Sequence, residues 1–446
     1  MFTFIKMDLK QKLRSPLTYF IILALCIMSI LHISETKKVR ESRFFKGHNP
    51  YYYLLQGASN INSFEDWKTL YPKAYQAMTT LIDTEKNIIN ADMEKDIEEL
   101  NRLNAFYNLL MSKYSSVRQD YILNNIFYKK VIDMWNDVSD GIVYEDIDLT
   151  PMNRIDKMGD TFLLVSKYYY QLYKNDLEPI YLDDTNNITY LYEYFFKIIP
   201  KFIILIPILF VYNSINKEKN TGSLKLVITQ SISRWKYYIS KWISGVIHVL
   251  FVIFTPGILI STILGFTNGF VSMKYPAIYF KGIMSSFIPV PNYFDTLKKE
   301  IGIGNLRLLF HNFNYVAPIH KHDAIWVYEH KNMEVIEFYK YLFMVLLLTI
   351  LFVGFCVALV QLISAIVNKE IISFAVGIGI FAIGILVSSP FKYDEHLNLS
   401  PFTMENASRI IIGTYNVTGL VSVIVLFVTT AILLTLGCRY FRRKEI

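Results

Sequence analysis

The sequence predicts an all-α integral membrane protein with six transmembrane helices and a large, mainly helical extracellular domain between the first and second spans. Three observations predict it. Of 446 residues, 53% are hydrophobic and 15% aromatic while only 19% are charged, too apolar for a wholly soluble chain and too rich in core residues for disorder. Six stretches reach the roughly 20 apolar residues that a bilayer core of about 30 Å demands of a helix. Between the first two lie about 162 residues with amphipathic helical periodicity.

In chain order, residues 1–15 form a cytoplasmic amphipathic segment and 16–34 the first span. Lys10, Lys12 and Arg14 before an apolar core resemble a signal peptide, but His32, Ile33 and Ser34 offer no cleavage site. The extracellular domain follows over 35–196, then spans at 197–215 and 242–266 joined by a cytoplasmic loop, 216–241. A second extracellular loop occupies 267–339, spans follow at 340–367, 371–390 and 414–438 within 340–438, and 439–446 is a cytoplasmic tail. Sidedness rests on the positive-inside rule: residues 1–15, 216–241, 368–370 and 439–446 carry 15 Lys/Arg against four acids. Lys37, Lys38, Arg40, Arg43 and Lys46 point the other way, but long translocated segments cross largely regardless of charge.

The net charge of +7 is unevenly spread. Residues 35–196 hold 18 Lys/Arg against 25 Asp/Glu, and the remainder 27 against 13, as expected of flanks that meet an anionic membrane surface. The basic residues flank spans and form no separate domain, which excludes nucleic acid as a partner. Cys26, Cys356 and Cys438 sit in apolar runs and read as small buried hydrophobes.

In the domain, Ile89, Met93, Ile97, Leu100, Leu103 and Tyr107 recur at steps of three and four, with Glu94, Lys95, Glu98 and Glu99 between them. Leu123, Phe127, Val131 and Met134 repeat the pattern. No strand alternation with hairpin turns accompanies it. The aromatic clusters Tyr51–Tyr53 and Tyr168–Tyr170 read as core and interface packing before ligand contacts.

The loop 216–241 is the most informative stretch. Gly222 breaks the chain after a span, and Leu224, Val227 and Ile228 share one helical face. Ser231 and Ser233 can start the next helix, with Trp235, Tyr237 and Trp242 as interfacial anchors. A short amphipathic helix of this kind lies either on a partner protein or on lipid headgroups. The order Glu218, Gly222-Ser223-Leu224, Ser231-Ile232-Ser233-Arg234 and Lys241 resembles the corresponding loop of type-2 ATP-binding cassette (ABC) transporter permeases, although Gln230-Ser231 stands where that family usually has Pro. Phe2, Ile5 and Leu9 on the N-terminal segment, six spans, and a re-entry near Leu399-Ser-Pro-Phe402 extend the resemblance over the membrane half.

The resemblance implies a permease subunit facing a second permease copy or paralogue, surrounded by membrane lipid. A cytoplasmic ATP-binding cassette ATPase would dock on Glu218, Gly222, Leu224, Val227, Ile228, Arg234 and Lys241. None of the 19 glycines is followed by Lys, so the chain holds no P-loop, and ATP and Mg are expected on the partner ATPase. The expectation is of no cofactor bound by this chain, no catalytic residue and no resident metal.

His311, His320, His322 and His330 cluster in the second extracellular loop near Asp323 and Glu329, but their spacing matches no standard metal site and reads as a solvated loop. His248, Gln361 and Ser364 inside apolar runs read as hydrogen-bonded to neighbouring helices rather than as a pathway. Gly377, Gly379 and Gly384 read as close-packing positions, and Asn187, Asn398, Asn406 and Asn416 as chance glycosylation matches. Spans without central charges, topped by a helical domain, suggest an exporter in a bacterial plasma membrane for an amphipathic peptide or lipid-like substrate. The alternative is a membrane sensor or antimicrobial-peptide resistance subunit that binds a peptide through its extracellular domain, and a third reading is a membrane enzyme using the histidine loop.

Overall fold

The first helix, α1 (Phe2–Leu13), ends at Arg14 because Pro16 disfavours helical backbone at Ser15, and the next helix starts at Pro16, where a missing N–H costs nothing. The computed structural model describes residues 1–44, 66–115, 126–144, 147, 159–180, 185–222, 233–280, 333–388, 399–412 and 417–443. Among these, five helices are long and apolar enough to cross a membrane: span 1 (Pro16–Glu35), span 3 (Arg234–Asn268), span 4 (Phe338–Ile366), span 5 (Glu370–Val387) and span 6 (Gly419–Arg442). Span 2 is a bent pair, Asn187–Phe202 and Leu205–Asn220, with 52° between its halves. Counting that pair as one crossing, the fold is an all-α integral membrane protein with six spans.

Span 2 departs most from its expected straight run over 197–215. It starts ten residues earlier, because the Asn186 side chain accepts from the N–H groups of Ile188 and Thr189 at 3.0 and 2.9 Å while Thr189 Oγ1 accepts from Asn186 N–H. A cap of this kind is set by polar residues, which a search for apolar runs passes over. The helix then widens into a π turn at Tyr194–Ile198, and Pro207 withholds the N–H that the Ile203 carbonyl would accept. Span 3 carries a matching weakness at Pro256. Tyr194 OH donates to the Ile253 carbonyl at 2.6 Å, and its ring lies so near Gly257 that a Cβ there would fall 2.8 Å from it. The two weak points are therefore pinned to one another.

Between spans 1 and 2, helices α2 (Pro72–Glu94), α3 (Ile97–Ser115), α4 (Ile126–Val138) and α5 (Gly159–Asn175) form the domain. Helices α3 and α5 pack closely because Ala105 and Ser166 are small, fully buried and joined by Ser166 Oγ donating to Ala105 O at 2.7 Å. Trp135 fills the centre against Phe106 and Tyr144, with its indole N–H on Ile142 O at 2.6 Å. The expected apolar stripe needs one correction: it does not run through Met93, which is 75% exposed. Lys95 adopts a left-handed backbone (φ 58°) and turns the chain, so α2 buries Leu81, Ile82, Ile88 and Ala91 and α3 begins a new face with Leu100 and Leu103. Val131, Met134, Tyr168 and Tyr169 are buried as the pattern predicts, while Leu123 and Tyr51–Tyr53 lie outside the described residues.

Glu85 on α2 is buried with one carboxyl oxygen on Tyr107 OH at 2.9 Å and the other without a partner. Burial pushes its carboxyl up to about 7, against the opposing pull of the Tyr107 hydrogen bond. The folded state thus keeps a proton that the unfolded chain releases near 4.5; the contribution is complete below that pH and is lost as pH rises through about 7. Melting of the purified protein followed from pH 5 to pH 8 is expected to drop by about 5 °C through this group, and Glu85→Gln to flatten the dependence.

Among the described residues, two strands interrupt the helical pattern, an addition to what the sequence suggests. β1 (Pro276–Phe280) pairs antiparallel with β2 (Met333–Glu337), Ile278 opposite Val335, and span 4 begins at the next residue, Phe338. The 52 residues that separate the strands hide the pairing from any hairpin search. The strands join the domain to the spans: Tyr168 OH meets Tyr275 OH at 2.5 Å, Tyr275 OH also accepts from Ile180 N–H, and Lys167 faces Glu334 at 3.8 Å.

Before span 6, a 3-10 turn (Pro401–Thr403) and helix α6 (Ala407–Ile412) fold back against the bundle. Phe402 seats on Gly384, where a Cβ would lie 2.5 Å from its ring, and contacts Phe355 and Phe381. Gly384 and Gly377, which meets Ile208, are packing positions; nothing lies within 4 Å of a Cβ built at Gly379. Asn187 and Asn406 are buried and bond to Val271 and Phe196 carbonyls, so neither is placed to carry a glycan; Asn398 and Asn416 lie outside the described residues.

Candidate functional site: an ion-pair hub at the root of the 216–241 loop

Four charges and two hydroxyls meet where α1, the end of span 2 and the start of span 3 come together. Lys241 Nζ lies 2.5 Å from both Asp8 Oδ1 and Glu218 Oε1, and Lys12 Nζ lies 2.6 Å from Asp8 Oδ2 and 3.1 Å from Ser244 Oγ. Ser244 OH donates to Asp8, and Tyr237 OH donates to Glu218. Local sequence makes this possible: Asp8 and Lys12 are four residues apart on α1, and Tyr237, Lys241 and Ser244 follow a helical spacing on span 3. Two cations balance two anions, and the side chains of Asp8, Lys12 and Lys241 are only 11–16% exposed. Burial opposes the Asp8 charge, but Lys12 and Lys241 outweigh it and hold its carboxyl down at about 2.

Such a hub does no bond chemistry; it ties three elements to one another. A largely buried pair gives weak net stabilisation, but removing one member leaves charge unpaired in a poor solvent for it. Lys241 is the keystone because it touches carboxylates in two different elements.

The other residues expected at this loop divide into three groups. Glu218 and Lys241 are brought together, turned inward on each other. Arg234 opens the span 3 helix, which starts eight residues before the expected span, and its guanidinium reaches the Arg442 carbonyl at 3.3 Å. Gly222 has φ +70° with open space around a built Cβ, so only backbone strain, about 1–2 kcal/mol, would resist a side chain there. Leu224, Val227 and Ile228 lie outside the described residues. Asp8, Lys12, Tyr237 and Ser244 were not anticipated as partners; the one readable signal was the Asp8/Lys12 spacing on a segment that otherwise showed only its apolar side. Trp242, expected at the lipid interface, donates its indole N–H to Gly354 O of span 4 at 3.0 Å.

Above the hub, His248 is fully buried, with Nε2 3.0 Å from Thr18 Oγ1 of span 1 and its ring 4.4 Å from that of Phe210, as expected of a histidine bonded to a neighbouring helix. Ser364 Oγ accepts from Ile215 and Asn216 N–H, and Gln361 donates to Tyr238 O at 2.8 Å. No group of three or more potential metal ligands occurs among the described residues, and the histidines of 311–330 lie outside them.

No curated protein and no solved structure matches the chain. A family model described as ABC-2 family transporter protein matches residues 3–446, nearly the whole sequence, domain included. Six spans, an amphipathic first helix and a charged loop root within that match make the chain a member of the ABC-2 transporter permease family, the membrane component of an ABC transporter.

Proposed function

We propose that this permease exports an amphipathic peptide or lipid-like substrate from a bacterial cell, in a plasma membrane that holds both termini and the 216–241 loop on the cytoplasmic side. Family membership implies an ATP-binding cassette ATPase as partner. In this reading the ATPase binds ATP and Mg and docks on the loop, the domain between spans 1 and 2 is extracellular, and a second permease copy, with lipid around the pair, completes the pathway. The hub carries the proposal: it joins α1, span 2 and span 3 at the base of the docking loop, so a push on the loop reaches three membrane elements at once. A substrate with apolar bulk suits spans 1, 3, 4, 5 and 6, whose middles carry no charged residue.

Arg234→Ala and Gly222→Val are expected to lower recovery of the ATPase with the permease, and substrate-stimulated ATP hydrolysis in liposomes, several-fold while the bundle stays folded. Full recovery and coupling in both variants would end the docking role. A single cysteine at Lys219, in a chain without Cys26, Cys356 and Cys438, should resist an impermeant maleimide in intact cells.

The sensor reading draws support from the strand pair, which ties the domain directly to span 4. Peptide binding that changes ATPase activity without vesicle uptake of the peptide would favour it.

A further inference from the structure

The early start of span 2 moves charge from a flank into a membrane helix. Glu193, Lys197 and Lys201 flank the start of the expected run at 197–215, but the Asn186 cap puts all of them within Asn187–Phe202. From Tyr190 to Ile199 every side chain except Glu193 and Lys197 is buried, and Lys201 follows at the same step of four, so the open face of this half of the span is a charged one. Depth follows from the contacts on either side. Tyr194 OH bonds to the Ile253 carbonyl, and a Cβ built at Gly245 would lie 3.6 Å from Val211. Lys201 falls between Tyr194 and Val211 in the chain, beside the break that separates Phe202 from Leu205, and both contacts are made inside the apolar run of span 3. It therefore stands at bilayer depth. Glu193 is engaged there, with His32 Nε2 of span 1 at 2.7 Å and Lys197 paired to it. Lys201 is exposed and meets no carboxylate among the described residues, which leaves this face one more lysine than acid. A charged side chain at that depth is costly against lipid and marks a route for polar groups.

We propose that Lys201, with the Glu193–Lys197 pair beside it, binds an anionic group, a phosphate or carboxylate, carried on an apolar body. The surplus positive charge selects an anion. An ammonium has three donors and no acceptor, which suits acidic oxygens, and the exposed Leu205 beyond the break offers apolar surface to the attached chain. Lys197 is already held by Glu193, so Lys201 is the residue that discriminates. The site names the substrate class within the export reading given above, an anionic amphiphile, and its role in transport rests on that reading.

The test is calorimetric titration of the purified full-length permease, in dodecyl maltoside, with dodecyl phosphate. Wild type and Lys201→Arg are expected to bind it alike, and Lys201→Gln about tenfold more weakly, the loss of one charge-assisted bond. Lys6→Gln, which removes an exposed lysine of α1, is expected to match the wild type. Inorganic phosphate, which lacks the chain, and dodecyltrimethylammonium, which reverses the charge, are each expected to bind the wild type at least about tenfold more weakly than dodecyl phosphate does. Equal affinity in wild type and Lys201→Gln overturns the site, and an equal loss in Lys6→Gln does so by showing general attraction to basic surface. Inorganic phosphate binding as tightly as dodecyl phosphate overturns the substrate class. A Lys201→Gln chain that falls to monomers with binding intact overturns the proposal in favour of a contact with the second permease copy. Liposomes that also hold the ATPase read the transport step separately: Lys201-dependent binding without ATP-driven movement of dodecyl phosphate ends the export reading and upholds the site.

Discussion

Lys241→Ala is expected to destabilise the permease by about 3–5 kcal/mol and to abolish coupling between ATP hydrolysis and transport. The lysine bridges Asp8 of α1 and Glu218 at the end of span 2 at 2.5 Å each. Without it, Asp8 keeps Lys12 and Ser244, while Glu218 keeps the Tyr237 hydroxyl but loses the Lys241 ammonium. Thermal melting in detergent reads the first effect and liposome ATPase assays the second. Lys241→Ala combined with Glu218→Gln should recover part of the stability, because the carboxylate that faced the lysine is neutralised with it, but not the coupling, because the bridge is still missing. A single variant with unchanged Tm would show the hub to be ornamental.

Trp135→Ala is expected to cost the domain about 3–5 kcal/mol. The indole is fully buried between Phe106 and Tyr144, rings 5.2 and 4.9 Å away, and its N–H holds the Ile142 carbonyl in the turn after α4. Truncation opens a cavity and leaves that carbonyl with the Ser139 hydroxyl, 3.1 Å away, in place of two donors. Limited proteolysis of the full-length protein should then cut within 66–180 at protease levels that leave the wild type whole, while the span fragments stay intact. Cleavage of the spans at the same rate would mean that domain and bundle unfold as one cooperative unit.

How much of this was readable depended on which force set each feature. Span existence rests on length and apolarity, which a single sequence displays, and all six expected runs contain membrane helix. Span ends rest on polar caps and on packing: the Asn186 box moved the start of span 2, and the cation-rich first turns of span 3 read as loop until Lys241 was seen to be neutralised by Asp8 and Glu218. Glu218 and Lys241 stood out from the resemblance, but their partner Asp8 lies 210 positions before Glu218, and nothing local announces a contact at that separation. The β1–β2 pair was invisible for the same reason. Burial of Tyr168 and His248, by contrast, followed from neighbours within one helical turn.

The junction of β2 with span 4 contains no spare residue: Glu337 ends the strand and Phe338 opens the helix, with Phe338 N–H bonded to the Tyr275 carbonyl at 2.7 Å. A joint of that kind has no backlash. A push on the domain meets no linker residue before span 4, and 23 residues further along that same helix stands Gln361, bonded to Tyr238 of span 3. Span 4 thus runs as one unbroken rod from the strand pair to the helix that carries Lys241.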